Sequence, residues 1–434
     1  LVDELPPILK NTDTETTDTE TDTEVPSDPS NELHTAPASE LQGSTNTSEF
    51  HELQGIQNSD FGDELLRGPV HEAFAEAYLP EPDTSIVVDR APPPPIPEIP
   101  PEVRPTGDNV EWIPGYWFWD EERNDYLWIS GVWRQIPPGT RWLPGYWAQL
   151  EGQHQWVSGT WIPASNNQAE YLSQSPPESL DLGPVGEPPS VSHFWVPGCW
   201  IWRDVHYAWR PGYWSVGYND WVWIPNRYVW SPRGYLFCPG YWDYPLVNRG
   251  TLFAPVYFRQ AAFLNPGFFY RPRLVLPYHG VLAHLWVGPR LRHYYFGDYY
   301  ANRYRQSGLH PWHMFHQNSA VRFGNRATFG YDPLFAHSSR IYSAQGINLS
   351  QQLTHQFNTY MHQPNLRPPR TYIEQRSRGL TTVDSTDRTT RSLGEFWRTG
   401  SAIGEPLSES AQRAPDRFTR DLSRDFTRNP TQDP

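Results

Sequence analysis

The 434-residue chain has only two cysteines, two methionines and one lysine, Lys10. Two cysteines, Cys199 and Cys238, allow at most one disulfide, so a bridged framework of the kind that staples small secreted domains is excluded. With lysine almost absent, the cationic surface is arginine, which favours planar, bidentate and stacking contacts over point charge. No run of 18 apolar residues occurs, so the sequence predicts no membrane-spanning helix. Its candidate strands are shorter than the roughly 9–11 residues of an outer-membrane barrel strand and are broken by Pro-Gly steps. A nucleophile elbow, a phosphate loop, zinc-ligand spacing and a carboxylate pair in a cleft-like context are all lacking, which argues against an enzyme and against any cofactor.

What the chain has is tryptophan, 21 residues of it, arranged in a box of Trp, two residues, Gly, one residue, Trp. The first four boxes are Trp112-Gly115-Trp117, Trp128-Gly131-Trp133, Trp142-Gly145-Trp147 and Trp156-Gly159-Trp161. The next four are Trp195-Gly198-Trp200, Trp209-Gly212-Trp214, Trp223-Asn226-Tyr228 and Phe237-Gly240-Trp242. Starts lie 14 residues apart except between the first two, at 16, and across the gap before Trp195. So short a period suits one strand and one turn and excludes two-helix repeats. The residue before the glycine is Pro or Ser, and Pro within strands is confined to edges and bulges. We therefore expect a bulged strand with the box Gly, or Asn226, in a left-handed conformation that returns both Trp to one face. The expected fold is mainly β: two four-stranded antiparallel arrays, 110–164 and 191–243, joined by a linker over 165–190.

The boxes resemble the bacterial YXWGXW repeat family, also labelled by its WXXGXW core, and in particular its long planctomycete envelope members. The resemblance rests on Trp112-Ile113-Pro114-Gly115-Tyr116-Trp117, on Trp142 to Trp147 and on Trp209 to Trp214. Downstream it includes His293-Tyr294-Tyr295-Phe296-Gly297-Asp298-Tyr299-Tyr300 and Tyr331-Asp332-Pro333-Leu334-Phe335-Ala336-His337. It implies an extracytoplasmic, repeat-built protein of no established activity, and it supplies no catalytic residues.

Outside the boxes, charge divides the chain. Residues 1–111 carry 25 acidic and 4 basic side chains, whereas 243–364 carry 3 and 11. Residues 12–24 are only Thr, Asp and Glu and cannot bury enough apolar surface to order themselves, so 1–90 reads as an acidic disordered tail, with a short helical patch at Pro69 to Tyr78. Eight prolines in 91–105 predict a polyproline II spacer of about 45 Å. Residues 244–345 form a Tyr/Arg/His-rich module, and 346–364 a helix capped by Asn348 with Leu349, Leu353, Phe357 and Tyr360 along one stripe. Residues 365–434 read as a charged, largely disordered tail with a weak amphipathic stretch from Pro415 to Thr427.

Three further patterns bear on function. His310, His313 and His316 have no spacing that fixes a metal geometry, so they are expected to be structural or surface residues, with no metal. Cys199 and Cys238 form a possible disulfide only if the second array curls. Arginine interleaved with aromatics invites a nucleic-acid reading, but overall acidity and expected export favour envelope components or anionic glycans as partners. The expected function is a non-enzymatic scaffold of the cell envelope. The alternative is a glycan or cell-wall binding module in which Trp119 and Trp202, if exposed, act as platforms.

Overall fold

The computed structural model describes residues 62–81, 86–165, 169–259, 261–288, 293–316, 321–323, 326–380 and 405–406. The acidic run at 12–24 and the expected helix from Pro415 lie outside them. The fold is mainly β, as expected, and all its ladders are antiparallel. The strands are spread over many small sheets instead of two four-stranded arrays.

The folding unit is a pair of boxes. In the first unit, Tyr116–Asp120 pairs with Asp125–Ile129, and outside it Val110–Ile113 pairs with Val132–Gln135. This is one long hairpin whose two arms each step at the box glycine. Thr140–Pro163 repeats it as the second unit, His193–Val216 as the third and Val222–Asp243 as the fourth. The register is the same on both sides of every step, with Trp117 opposite Trp128 and Trp112 opposite Trp133, so neither arm carries an extra residue. The expected bulge is therefore absent, and so is its backbone: none of Gly115, Gly131, Gly145, Gly159, Gly198, Gly212, Gly240 or Asn226 has a positive φ. The non-glycine residues with positive φ sit in the hairpin loops, at Asn124, Glu151 beside Gly152, and Asp204. Loop Glu151-Gly152 has φ of 49° and 85°, matching the right-handed twist of its strands.

Two segments read as tail and stalk are instead structural. Residues 65–79 are packed into the core with Leu65, Leu66, Val70, Ala73 and Phe74 buried, and Pro69 to Tyr78 is an extended, turned strip with no helix. Residues 94–101 lie along the first unit with Ile96 and Ile99 buried. Both contradict the composition-based reading because isolated apolar residues inside acidic or proline-rich stretches have box surfaces to cover.

The module after the boxes closes the core. Helix Pro333–Ala344 is capped by Asp332, whose carboxylate accepts from Phe335 N, and helix Leu349–His362 is capped by Asn348 as expected. Leu349, Leu353 and Phe357 are buried on its stripe, and Tyr360 packs beside them. Helix Tyr372–Ser377, capped by Thr371, falls in a region expected to be tail. Among the described residues no helix is long and apolar enough to cross a membrane.

Candidate functional site

Within each unit the indoles explain the glycines. The first Trp of each box lies over the Gly of the other box: a Cβ on Gly145 would stand 2.5 Å from Trp156 Cζ2, and one on Gly159 2.4 Å from Trp142 Cζ2. The same reciprocal cover joins Trp112 to Gly131, Trp128 to Gly115, Trp195 to Gly212 and Trp209 to Gly198. Glycine is required for space, since a methyl there has nowhere to go. The second Trp of each box then meets the first Trp of its partner edge to face. Ring centroids are 5.2 Å apart for Trp117 and Trp128, 5.5 Å for Trp147 and Trp156, and 5.2 Å for Trp200 and Trp209. Trp112 with Trp133, Trp195 with Trp214, and Trp223 with Trp242 repeat this at 5.1–5.5 Å, while Trp142 and Trp161 meet tilted at 5.1 Å.

The paired glycine step leaves N–H groups without ladder partners, and a carboxylate from elsewhere takes them. Glu98 accepts from Gly115 N at 2.8 Å, from Gly131 N at 3.1 Å and from Trp128 Nε1 at 2.7 Å. Glu72 accepts from Gly159 N and Trp156 Nε1, both at 2.9 Å. Asp181 accepts from Gly198 N at 2.7 Å and Trp195 Nε1 at 3.4 Å. Among the described residues the fourth unit has no such visitor. Asn226, standing in the box where glycine is expected, supplies its own side-chain oxygen to Gly240 N at 2.6 Å. That replaces the expectation of a left-handed Asn226.

Around Glu98 and Asp181 the same chain segment accepts the outer indoles. Trp117 Nε1 donates to Pro94 O and Trp133 Nε1 to Pro101 O. Trp200 Nε1 donates to Glu178 O and Trp214 Nε1 to Val185 O. The segments 94–101 and 178–185 are thus equivalent straps, centred on Glu98 and Asp181. Units one and two also repeat as units three and four: Trp147 Nε1 donates to Trp117 O, and Tyr228 Oη to Trp200 O.

The strap carboxylates were not legible as functional residues, although one signal was present. Glu98 lies in Ile96-Pro97-Glu98-Ile99-Pro100 and Asp181 in Leu180-Asp181-Leu182, single acids among apolar neighbours. Burial pushes Glu98 up to about 7, against the opposing effect of its Gly115, Trp128 and Gly131 donors. Glu72 also lies 3.2 Å from His293 Nε2, beside His71 and Tyr116. Burial holds His71 down at about 4. With Glu72, His71 and His293 all at most 2% exposed, this group is a packed joint. Beside it Arg134 makes two bonds to Asp243, at 2.6 and 2.7 Å, Arg249 reaches Asp243 at 3.0 Å, and Arg227 pairs with Glu76.

The remaining sequence candidates are dispersed. Trp119 is half-buried under the Arg90 guanidinium, 4.8 Å from its ring, and against Tyr126. Trp202 is half-buried against Tyr207, with centroids 4.8 Å apart. Cys199 and Cys238 are not joined. Cys199 Sγ accepts from Asn226 Nδ2 and Cys238 Sγ from Thr160 Oγ1. His316 Nδ1 accepts from Asp332 N, and burial keeps His316 at about 3 and His313 at about 4. No group of three His, Cys, Asp or Glu among the described residues is placed to hold a metal ion.

Residues 107–134, 141–161, 193–215 and 220–243 match the family model described as "WXXGXW repeat (2 copies)". Each matched segment coincides with one two-box unit of the fold. No curated protein matches the chain, and neither does any solved structure.

Proposed function

This chain is a WXXGXW-repeat protein, and from that premise we propose that it is a non-catalytic structural protein of the bacterial cell envelope. The observation that carries the reading is where the box chemistry is spent. The paired indoles cover glycines and each other, many of their N–H groups are bonded to straps, and the buried acids Glu72 and Asp181 and the half-buried Glu98 accept bonds from the boxes. Carboxylates committed to box N–H groups in this way support a structural role over acid–base work on a substrate. The repeated residues therefore serve rigidity.

The competing reading, a glycan-binding module, requires aromatic faces open to a sugar ring. Retention on isolated cell wall separates the two, with the intact protein beside a Trp119→Ala, Trp202→Ala double variant. A scaffold predicts that any retention is the same for both, whereas loss of retention in a folded double variant would establish the glycan reader. The envelope location is tested by fractionating cells that express the full-length native gene. Recovery of the protein in the cytoplasm would refute it.

A further inference from the structure

In three of the four units the first Trp of one box gives its indole N–H to a carboxylate: Trp128 Nε1 to Glu98 at 2.7 Å, Trp156 Nε1 to Glu72 at 2.9 Å and Trp195 Nε1 to Asp181 at 3.4 Å. Each of those acids also accepts from a box glycine N–H. The fourth unit divides the task differently. Asn226 Oδ1 accepts from Gly240 N at 2.6 Å, Phe237 has no side-chain N–H, and Trp223 Nε1 is buried with no hydrogen-bond partner among the described residues. A donor shut away from water and left unpaired carries a desolvation penalty that a bound acceptor removes.

Trp223 lines a cavity beneath the face of helix Pro333–Ala344 that carries His337 and Arg340, and Phe194, Trp221 and Trp242 add to its wall. Its interior measures about 10 Å3, enough for one water-sized atom or group. The polar groups around it are one-sided. Arg340 donates to Asn219 Oδ1 at 2.9 Å and to Tyr218 O at 2.5 Å, both neutral, and no described carboxylate pairs with it. His337 bonds the Trp221 backbone, and no acid is among the lining residues. The cavity thus joins an orphan indole N–H to a guanidinium that lacks a counter-charge.

We propose that the fourth unit binds a small monocarboxylate, with one oxygen seated on Trp223 Nε1 and the charge facing the Arg340 guanidinium. The occupant follows from the sister units, where the group that meets the equivalent indole is a carboxylate each time. Charge argues for the same choice, since a bond between an ionised acceptor and a guanidinium is stronger than one to the neutral oxygens Arg340 now holds. Size limits the entry to a single oxygen, so the planar anion comes in end-on and its remainder lies at the half-exposed rim of Trp221, Trp242 and Arg340. The site is independent of the envelope reading, since it rests on groups within this unit and its covering helix.

The test follows the indole N–H resonance of Trp223 in the full chain, assigned by its loss in Trp223→Phe. Sodium acetate is titrated at neutral pH against sodium chloride of equal ionic strength. A saturable downfield shift with acetate alone is expected, and Arg340→Gln should raise the half-saturating concentration about tenfold or more by removing a charge-assisted contact. Acetate should also raise the melting temperature of the parent chain, by linkage, and not that of Trp223→Phe. The absence of any shift, which would leave a water as the acceptor, or an equal shift with chloride, would overturn the proposal. So would an Arg340→Gln variant that binds acetate as tightly as the parent. Should Trp223→Phe fail to fold, the acetate-dependent melting of the parent beside Arg340→Gln decides it.

Discussion

At the scale of the residue, glycine in these boxes is selected by the indole above it. Gly145→Ala already places a methyl 2.5 Å from Trp156 and 2.8 Å from Val157 O, so Ala should cost nearly as much as Val. Overpacking of this kind costs about 1–3 kcal/mol, read as a lowered denaturation midpoint. Gly152→Ala meets nothing within 4 Å, and its φ of 85° sets the cost at about 1–2 kcal/mol. If Gly145→Ala were harmless, the packing account would be wrong. The strap carboxylates make a second prediction. Glu98→Ala leaves Gly115 N, Gly131 N and Trp128 Nε1 without their acceptor, at about 1–3 kcal/mol for each buried donor and not additively. Asp181→Asn should be tolerated better than Asp181→Ala, because Asn226 already performs the same task in the fourth unit with an amide. Equal losses for both variants would show that charge, not the acceptor oxygen, is what counts.

At the scale of the element, the four hairpins share a register but not a surrounding. Among the described residues the third unit's inner hairpin has no third strand, and its indoles Trp200 and Trp209 are half-buried where Trp117 and Trp128 are buried. Amide exchange is expected to be fastest there, with Ile201 less protected than Phe118, its counterpart in the first unit. The reverse order would contradict the hairpin comparison. This contrast also marks what could be read from the chain. The box period announced strands and their antiparallel sense, because Trp and Gly recur at fixed intervals. Partner choice was not written there: a box shows that its glycine must be small, but not that the indole over it comes from the neighbouring box. The bulge was inferred from parity within one strand, while the real constraint runs between two. The capping acids escaped for a related reason, since Glu72, for one, acts 84 to 87 residues away from the unit it caps and inside a segment whose composition suggests a tail. The cap of helix Leu349–His362, by contrast, is local, and Asn348 was recognisable from its neighbours alone.

At the scale of the whole molecule, stability should depend on pH through buried histidines. Burial lowers His71, His313 and His337 to about 4 and His284 and His316 to about 3, from an ordinary value of 6.5. Each lowered histidine stabilises the fold above pH 6.5, and that contribution is lost as pH falls, because the unfolded chain takes the proton first. Glu98 and Asp332, both raised to about 7 by burial, act in the opposite sense and favour the fold at lower pH. Five groups outweigh two, so the melting temperature is expected to fall between pH 7 and pH 4.5. A melting temperature that rises over that interval would reverse the assignment.

The straps also bear on how such a gene can change. In solenoids each repeat contacts only its neighbours, so copies can be added or lost without disturbing the rest. Here Glu72, Glu98 and Asp181 reach their units from outside the repeats, so a duplicated first, second or third unit would arrive without its acceptor. Only the fourth carries its own, in Asn226. Growth or shrinkage of the array by unequal crossing-over would accordingly cost a buried acceptor at three positions out of four.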